Sequence, residues 1–262
     1  MSRIEDVRDY WESHPLCAVA IPHALYTREY FDFYDGLREA NESLEFSYRL
    51  HEYTAFSGKK VLDVGCGNGY VLSKFAKEGA ETFGIDITPT AVDLSKRRFE
   101  YLGLTGSFAV ANAEELPFED DTFDCVCSMG VLHHTPNTEQ AIEEIYRVLR
   151  PGGRLIVMFY HRNSVLYQFN FRRQALFGRK TMQQLVNEVD GIGNPKGAVY
   201  SRAELAHLLH RFDDLEMSVG LLQGRMLSLR VGRRVPNRLL RPLESHWGWF
   251  LYAKGFKSTA RP

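Results

Sequence analysis

The sequence predicts an α/β fold built on an open, mostly parallel sheet with helices on both faces, and three observations predict it. Val61, Leu62 and Val64 form a short apolar run of the kind found in strands buried on both faces. The run enters a turn carrying Gly65, Gly67 and Gly69, after which Val71, Leu72, Phe75 and Ala76 recur at helical spacing. A second strand ends in Gly84-Ile85-Asp86-Ile87, roughly 20 residues further on, where an open sheet of this kind binds a ribose diol. Thirdly, strand and helix keep alternating: a strand at Phe123-Asp124-Cys125-Val126-Cys127-Ser128-Met129 is followed by helical apolar spacing at Ala141, Ile142, Ile145, Val148 and Leu149. That helix stops at Arg150-Pro151-Gly152-Gly153, and a strand runs from Arg154 to Tyr160. Such alternation builds a parallel sheet.

The chemistry starts at the glycines. Glycine takes positive φ without strain and lets a ligand approach with no Cβ in the way, so Gly65, Gly67 and Gly69 are expected to touch a ligand. The dinucleotide fingerprint is G-x-G-x-x-G, whereas residues 61–69 read G-x-G-x-G with Asp63 two positions before the first glycine. A pyrophosphate favours a positive helix N-terminus; an acidic residue beside the turn suits a ligand carrying an ammonium group. Asp86 is the expected ribose ligand, since Thr88 before Pro89 already supplies a cap for the next helix.

These segments resemble motif I and the following motifs of class I S-adenosylmethionine-dependent methyltransferases, in order over about residues 58–160, and the subgroup resembled is that of small-molecule enzymes of ubiquinone/menaquinone-biosynthesis type. The resemblance implies S-adenosyl-L-methionine as cofactor, held by Asp63, Gly65, Cys66, Gly67, Gly69, Asp86, Ile87, Asn112, Ala113 and Met129. The glycine turn would pack against methionine and ribose, and the acidic position would hold the amino group. Asn112 stands where the family carries Asp for the adenine amino group; an amide oxygen still accepts that hydrogen bond. The resemblance further implies a Rossmann-like three-layer sandwich with a seven-stranded, mostly parallel sheet of order 3-2-1-4-5-7-6 and an antiparallel last strand. Strands near Leu215 to Leu222 and Trp249 to Phe256 would complete it.

The flanks are expected to choose the acceptor, because loops at the carboxyl ends of the strands vary. Residues 1–57 read as a helical N-terminal lid, with Val7, Tyr10 and Trp11 on one face and an aromatic stretch at Tyr30, Phe31, Phe33, Tyr34 and Tyr48. Residues 58–262 form the catalytic domain, in which 161–200 is a cap inserted after the fifth strand; a connection of that length is usually functional. A helix follows at Ser201-Arg202-Ala203-Glu204, a capping box. His133 and His134, beside the expected methyl site, are candidate proton acceptors, although a transfer that relies on positioning needs no base. Tyr10, Trp11, Tyr160 and His161 are candidate substrate-binding residues, and the aromatic rings could close over a sulfonium by cation–π contact. No metal is expected, because no Asp/His set at ligand spacing accompanies the histidines.

Composition is ordinary for a globular chain, with 44% apolar and 25% charged residues. No run approaches a membrane span and no signal peptide is seen. Four cysteines, Cys17, Cys66, Cys125 and Cys127, fit a reduced, cytoplasmic setting. The net charge of −1 hides an asymmetry: residues 1–160 hold 15 Lys+Arg against 26 Asp+Glu, and residues 161–262 hold 17 against 7. The halves either neutralise each other in space or leave basic clusters that steer a partner. Arg172, Arg173, Arg179 and Lys180 make one cluster; Arg225, Arg230, Arg233, Arg234, Arg238 and Arg241 make another.

The leading expectation is a methyltransferase for a small-molecule acceptor at oxygen, nitrogen or carbon, with an acidic acceptor suggested by the arginines. The alternatives are an RNA, protein or membrane-associated acceptor, with peripheral membrane contact through the Arg-rich half, and a non-catalytic cofactor sensor or scaffold. Nucleic acid is disfavoured, since no recognisable module accompanies the arginines. A pocket ringed by arginine would imply an acidic acceptor; one ringed by Trp and Tyr, an apolar or aromatic one.

Overall fold

The computed structural model describes residues 2–15, 20–227 and 235–259. In chain order it begins with α1 (Ile4–Ser13), α2 (Arg28–Asn41) and α3 (Leu44–His51). Strand β1 (Lys60–Val64), α4 (Tyr70–Lys77), β2 (Glu81–Asp86), α5 (Pro89–Leu102) and β3 (Ser107–Val110) follow. Next come β4 (Phe123–Met129), α6 (Thr138–Val148) and β5 (Leu149–His161). The inserted cap holds a π-helical turn (Leu166–Phe171), α7 (Arg172–Phe177) and α8 (Met182–Asn187). The chain closes with β6 (Val199–Tyr200), α9 (Arg202–Leu208), β7 (Phe212–Gly220), α10 (Asn237–Trp247) and β8 (Phe250–Lys257).

The sheet order is β3-β2-β1-β4-β5-β8-β7, with the two-residue β6 pairing on β5. Every pairing is parallel except those of β8 with β5 and β7. With β6 set aside, this is the expected 3-2-1-4-5-7-6 order with an antiparallel last strand. The added β6 arises because the cap returns along the end of β5, pairing Tyr160 with Val199. β7 starts three residues before the expected Leu215, its register shifting between Asp213 and Glu216.

Local chemistry sets the helix ends. The Thr88 hydroxyl accepts the Ala91 N–H, Pro89 occupies the first turn, and Gly103 ends α5 at φ 62°. Ser201 and Glu204 form the expected reciprocal cap of α9. Along β1 the side chains alternate: Leu62 and Val64 pack with Phe123, Ile145 and Leu205 on one face, whereas Val61 packs with Tyr30, Phe75, Cys125 and Cys127 on the other. Tyr30, Phe31 and Tyr34 of α2 and Leu50 of α3 belong to that second core, whereas α1, the flap, is tied to α5 through the Thr90 hydroxyl, which donates to Glu12 Oε1 at 2.6 Å. The cap has a smaller apolar cluster of its own around Tyr160, Phe171, Val186 and Trp249.

The charge asymmetry is partly resolved across the sheet. Lys254 pairs with Glu52, Lys257 with Asp121, and Arg211 with Glu143, each a basic residue of the second half on an acidic one of the first. Cys66, Cys125 and Cys127 are buried and unbridged. Cys17 and the arginines Arg230, Arg233 and Arg234 lie outside the described residues. Among the described residues no helix is long and apolar enough to cross a membrane.

Candidate active site

The loops leaving the carboxyl ends of β1, β2 and β4 open on a cavity of about 690 Å³. In the turn that forms its floor and leads into α4, Gly65, Gly67 and, beyond the wall, Gly69 take φ of 78°, 56° and 76°, a left-handed conformation that costs other residues roughly 1–2 kcal/mol. Gly65 is also required for space, since a Cβ there would lie 2.3 Å from Val131 Cγ2. The turn is tied to β2: Gly65 and Cys66 donate to the Ile85 carbonyl at 2.8 and 2.9 Å, and the Gly67 N–H donates to Asp86 Oδ2 at 3.1 Å. Thr88 gives its N–H and hydroxyl to Asp86 Oδ1 at 3.0 and 2.9 Å. Burial raises the Asp86 carboxyl, and these donors oppose the rise.

Gly65, Gly67, Asp86, Ile87, Asn112, Ala113 and Met129 line this cavity together. Asn112 Oδ1 accepts the Glu114 N–H at 3.0 Å, which fixes the amide and leaves one oxygen lone pair and the NH₂ for a ligand. Cys66 and Gly69 are not part of the wall: Gly69 starts α4, where a Cβ would press on Ser95, and the Cys66 thiol receives the Ser95 hydroxyl. Asp63 sits one layer down. Its Oδ1 is buried without a partner, and burial pushes its carboxyl up to about 7 against a hydrogen bond from Cys127.

At the other end, His134 stands in the wall on a short 3-10 turn after β4. Its Nδ1 donates to the Lys196 carbonyl at 2.6 Å. Nε2 lies 3.2 Å from Asp190 Oδ2 without forming a hydrogen bond, a contact that becomes an ion pair only when the imidazole is protonated. The Tyr160 hydroxyl donates to the same carboxylate at 2.7 Å, and the Tyr10 hydroxyl reaches the Asp190 carbonyl at 3.3 Å. Trp11 packs edge-on against the His134 ring, centroids 5.2 Å apart. Asp190 thus joins flap, cap, sheet end and loop.

Three expected acceptor-side residues are placed elsewhere. His133 is fully buried, packed 4.0 Å from the Tyr160 ring and 4.3 Å from His134, and it is not in the wall. Burial holds its imidazole well below the usual range, so it is a neutral core residue. His161 follows Tyr160 on β5 and therefore points to the opposite face, where Nδ1 meets the Gly248 carbonyl at 3.1 Å. Tyr10 is turned toward the cap while its neighbour Trp11 lines the cavity.

Residues 62–157 match a family model described as a methyltransferase domain. The chain is similar to a chloroplastic tocopherol O-methyltransferase of Arabidopsis thaliana, 41% identical over 136 residues that cover 48% of this chain and 38% of that protein. A ubiquinone/menaquinone biosynthesis C-methyltransferase of Haemophilus ducreyi is 37% identical over 122 residues, covering 43% and 47%. Residues 62–157 are a methyltransferase domain of the S-adenosylmethionine-dependent kind. It spans less than half the length of the curated relatives it matches. Solved structures share the fold of this chain: one described as a SAM-dependent methyltransferase, from Methanosarcina mazei, superposes with a TM-score of 0.60 at 22% identity, covering 81% of this chain and 98% of that one. Phosphoethanolamine N-methyltransferase 2 of Haemonchus contortus superposes with a TM-score of 0.63 at 15% identity, covering 96% and 60%.

The residues present fit the methyltransferase cofactor. A zwitterionic amino acid needs an acceptor for its ammonium and donors for its carboxylate. Asp63 Oδ1 is a buried acceptor with no partner, and Asn68 Nδ2 and Arg38 Nε are buried donors with none; Asn68 and Arg38 line the cavity. Arg98 steadies this end by donating to the Asn68 carbonyl at 2.7 Å and pairing with Asp35 of α2 at 2.8 Å. Arg38 and Asp190 were not visible as site residues in the sequence. Arg38 sits on a helix far ahead of the glycine turn, and Asp190 in a connection without a motif.

Proposed function

We propose that the protein transfers a methyl group to an apolar or aromatic small molecule through a hydroxyl whose proton passes to His134. The observation that carries this reading is the two-ended cavity. One end has Asp86 and the glycine turn, and the other has His134 and Asp190 among Trp11, Tyr160, Trp249 and Phe250. Among the described residues Arg225 is the one arginine on that aromatic side, so the ring of side chains favours an apolar acceptor over the acidic one that the charge clusters suggested.

When bound, S-adenosylmethionine supplies a methyl group already activated by its sulfonium, so the protein's task is placement and proton removal. Asp86 and the glycine turn would hold the ribose, Asn112 and Ala113 the adenine, and Asp63, Asn68 and Arg38 the amino acid. The Nδ1 bond to Lys196 fixes the His134 tautomer that leaves a lone pair on Nε2. A proton taken there is stabilised by the Asp190 carboxylate.

The test is calorimetric titration with S-adenosylmethionine, followed by S-adenosylhomocysteine release across a panel of phenols, hydroquinones, amines and carboxylic acids. Tight binding that falls by about tenfold or more in Asp86→Ala is expected, as for a lost charged hydrogen bond, together with acceleration by hydroxylated aromatics. Acceleration by amines or acids alone would overturn the acceptor class, and absent binding would overturn the cofactor.

Asp63 gives a second expected result. Its folded carboxyl titrates at about 7, above the unfolded range, so between roughly pH 4 and 7 the ligand-free fold holds a proton that the unfolded chain has released, and stability falls as pH rises through that window. An ammonium beside Asp63 favours the ionised form. Binding near pH 6.5 is therefore expected to expel a proton and to tighten as pH rises through about 7. Titrations in buffers of different protonation heat report the proton directly; in Asp63→Asn the proton release should vanish, and its persistence would count against Asp63.

A further inference from the structure

We propose that the cap and α10 form a docking face for an anionic lipid bilayer. The face begins with two apolar stripes. On the stretch running from the π-helical turn through α7, Phe169 is exposed, and Leu176 and Phe177, two turns along, are 76% and 80% exposed. On α10, Leu239, Leu243 and Trp247 recur every four residues, which puts them on one side of the helix, and all three are exposed. The adjoining flank of the helix is anchored, with Leu240 buried and the Glu244 carboxylate accepting the Leu221 N–H. The rings of Phe169 and Trp247 meet with centroids 5.6 Å apart, so the stripes converge into one surface. Scattered exposed apolar residues are normal; a contiguous set marks an interaction site.

Charge selects the partner. Arg172, Arg173 and Arg179 border the first stripe and Arg238 and Arg241 the second, all of them exposed. Elsewhere in the second half Arg211, Lys254 and Lys257 are taken up by carboxylates of the first half, and Arg162 and Lys180 by Glu204 and Glu188. Among the described residues, Arg172, Arg179, Arg238 and Arg241 have no carboxylate partner. Apolar side chains edged by such arginines match an interfacial surface that sinks the former to the acyl boundary and keeps guanidinium groups at the level of lipid phosphates. A second copy of this chain is a poorer occupant, because a two-fold contact would bring the same arginines face to face.

The face adjoins the reaction chamber. Leu166, which opens the π-helical turn, and Trp249, two residues beyond α10, are both in the cavity wall. A bilayer held here lies beside the chamber, and an apolar acceptor could pass from lipid to His134 with little contact with water. Docking itself does not depend on which acceptor is used.

The full chain is sedimented with vesicles of phosphatidylcholine alone and of phosphatidylcholine containing about one third phosphatidylglycerol. Binding to the mixed vesicles is expected, at least about tenfold weaker to the neutral ones, and weakened again by added salt. Leu176→Asp with Phe177→Asp, and separately Arg238→Ser with Arg241→Ser, should each abolish it. Both double variants alter exposed side chains, and their thermal midpoints and S-adenosylmethionine affinities should match the parent. The proposal is overturned by equal binding to both vesicle types, by no binding, or by variants that bind as the parent does. A concentration-dependent dimer lost in the same variants, without vesicle binding, would overturn it in favour of self-association. Lost cofactor binding with vesicle binding intact would instead strike the methyl-transfer reading.

Discussion

His134→Asn is expected to slow methyl transfer by roughly 10²–10⁴-fold, the range for loss of a positioned general base, with cofactor affinity unchanged to within about threefold. Asparagine can still donate to the Lys196 carbonyl, which His134 Nδ1 reaches at 2.6 Å, so the loop keeps its anchor. What it lacks is the ring lone pair that receives the proton. The size of the loss should depend on the acceptor. A phenol acidic enough to be ionised on its own needs no base, so the deficit should shrink along a series of increasingly acidic phenols. If His134 only shapes the pocket, the deficit will be the same for every member, and that result would remove it from proton transfer. Asp190→Asn is the companion. The amide oxygen still accepts the Tyr160 hydroxyl, so the cap stays tied, but the charge facing the imidazolium is gone. Loss of one charge-assisted contact, about 1.5–3 kcal/mol, corresponds to about 10- to 100-fold in rate.

How much of this site was legible in the sequence follows from the range of the forces that place each residue. Asp86, the glycine turn and the Ser201 cap are set by interactions within a few residues or by the fixed geometry of a strand running into a helix, and spacing alone finds them. Tyr160 and His161 could have been separated by strand parity, since neighbours on a strand face opposite ways. Tyr10 and Trp11 differ similarly, about 100° apart around α1. His133 and His134 could not be separated, because their phase is set by a 3-10 turn whose start depends on how Val131 packs over Gly65. Asp190 was beyond reach for another reason. Its contact with Tyr10 joins residues 180 positions apart, and Gly191 permits it, since a Cβ there would lie 2.2 Å from the Tyr10 hydroxyl. Only the folded cap makes that carboxylate part of the site. The fold itself was legible through its repeating strand and helix units, except for β6, which exists only because the cap returns against β5.

Gly65→Ala is expected to cost roughly 2–5 kcal/mol of stability and to weaken S-adenosylmethionine binding at the same time. Two independent terms add. An alanine held at φ near 78° is strained by about 1–2 kcal/mol, and forcing a methyl group into a packed site typically costs a further 1–3 kcal/mol or so. The contact here is severe, since the new Cβ would meet Val131 Cγ2, Cγ1 and Cβ at 2.3, 2.6 and 2.9 Å. Val131 cannot retreat without moving the turn that carries His134, whose N–H is bonded to the Val131 carbonyl at 2.8 Å. The turn itself cannot open without breaking the paired bonds of Gly65 and Cys66 to the Ile85 carbonyl. Strain at residue 65 is thus divided between the cofactor end and the acceptor end of the cavity. The double variant Gly65→Ala, Val131→Ala separates the terms: it removes both Cγ contacts and leaves the φ strain and the 2.9 Å contact, so it should recover part of the lost stability and not all of it. Denaturant midpoints of the four proteins in the cycle measure the coupling. Simple additivity of the two substitutions would show that the turn and the loop relax independently, and the tight packing of Gly65 on Val131 would then not be what fixes the cavity floor.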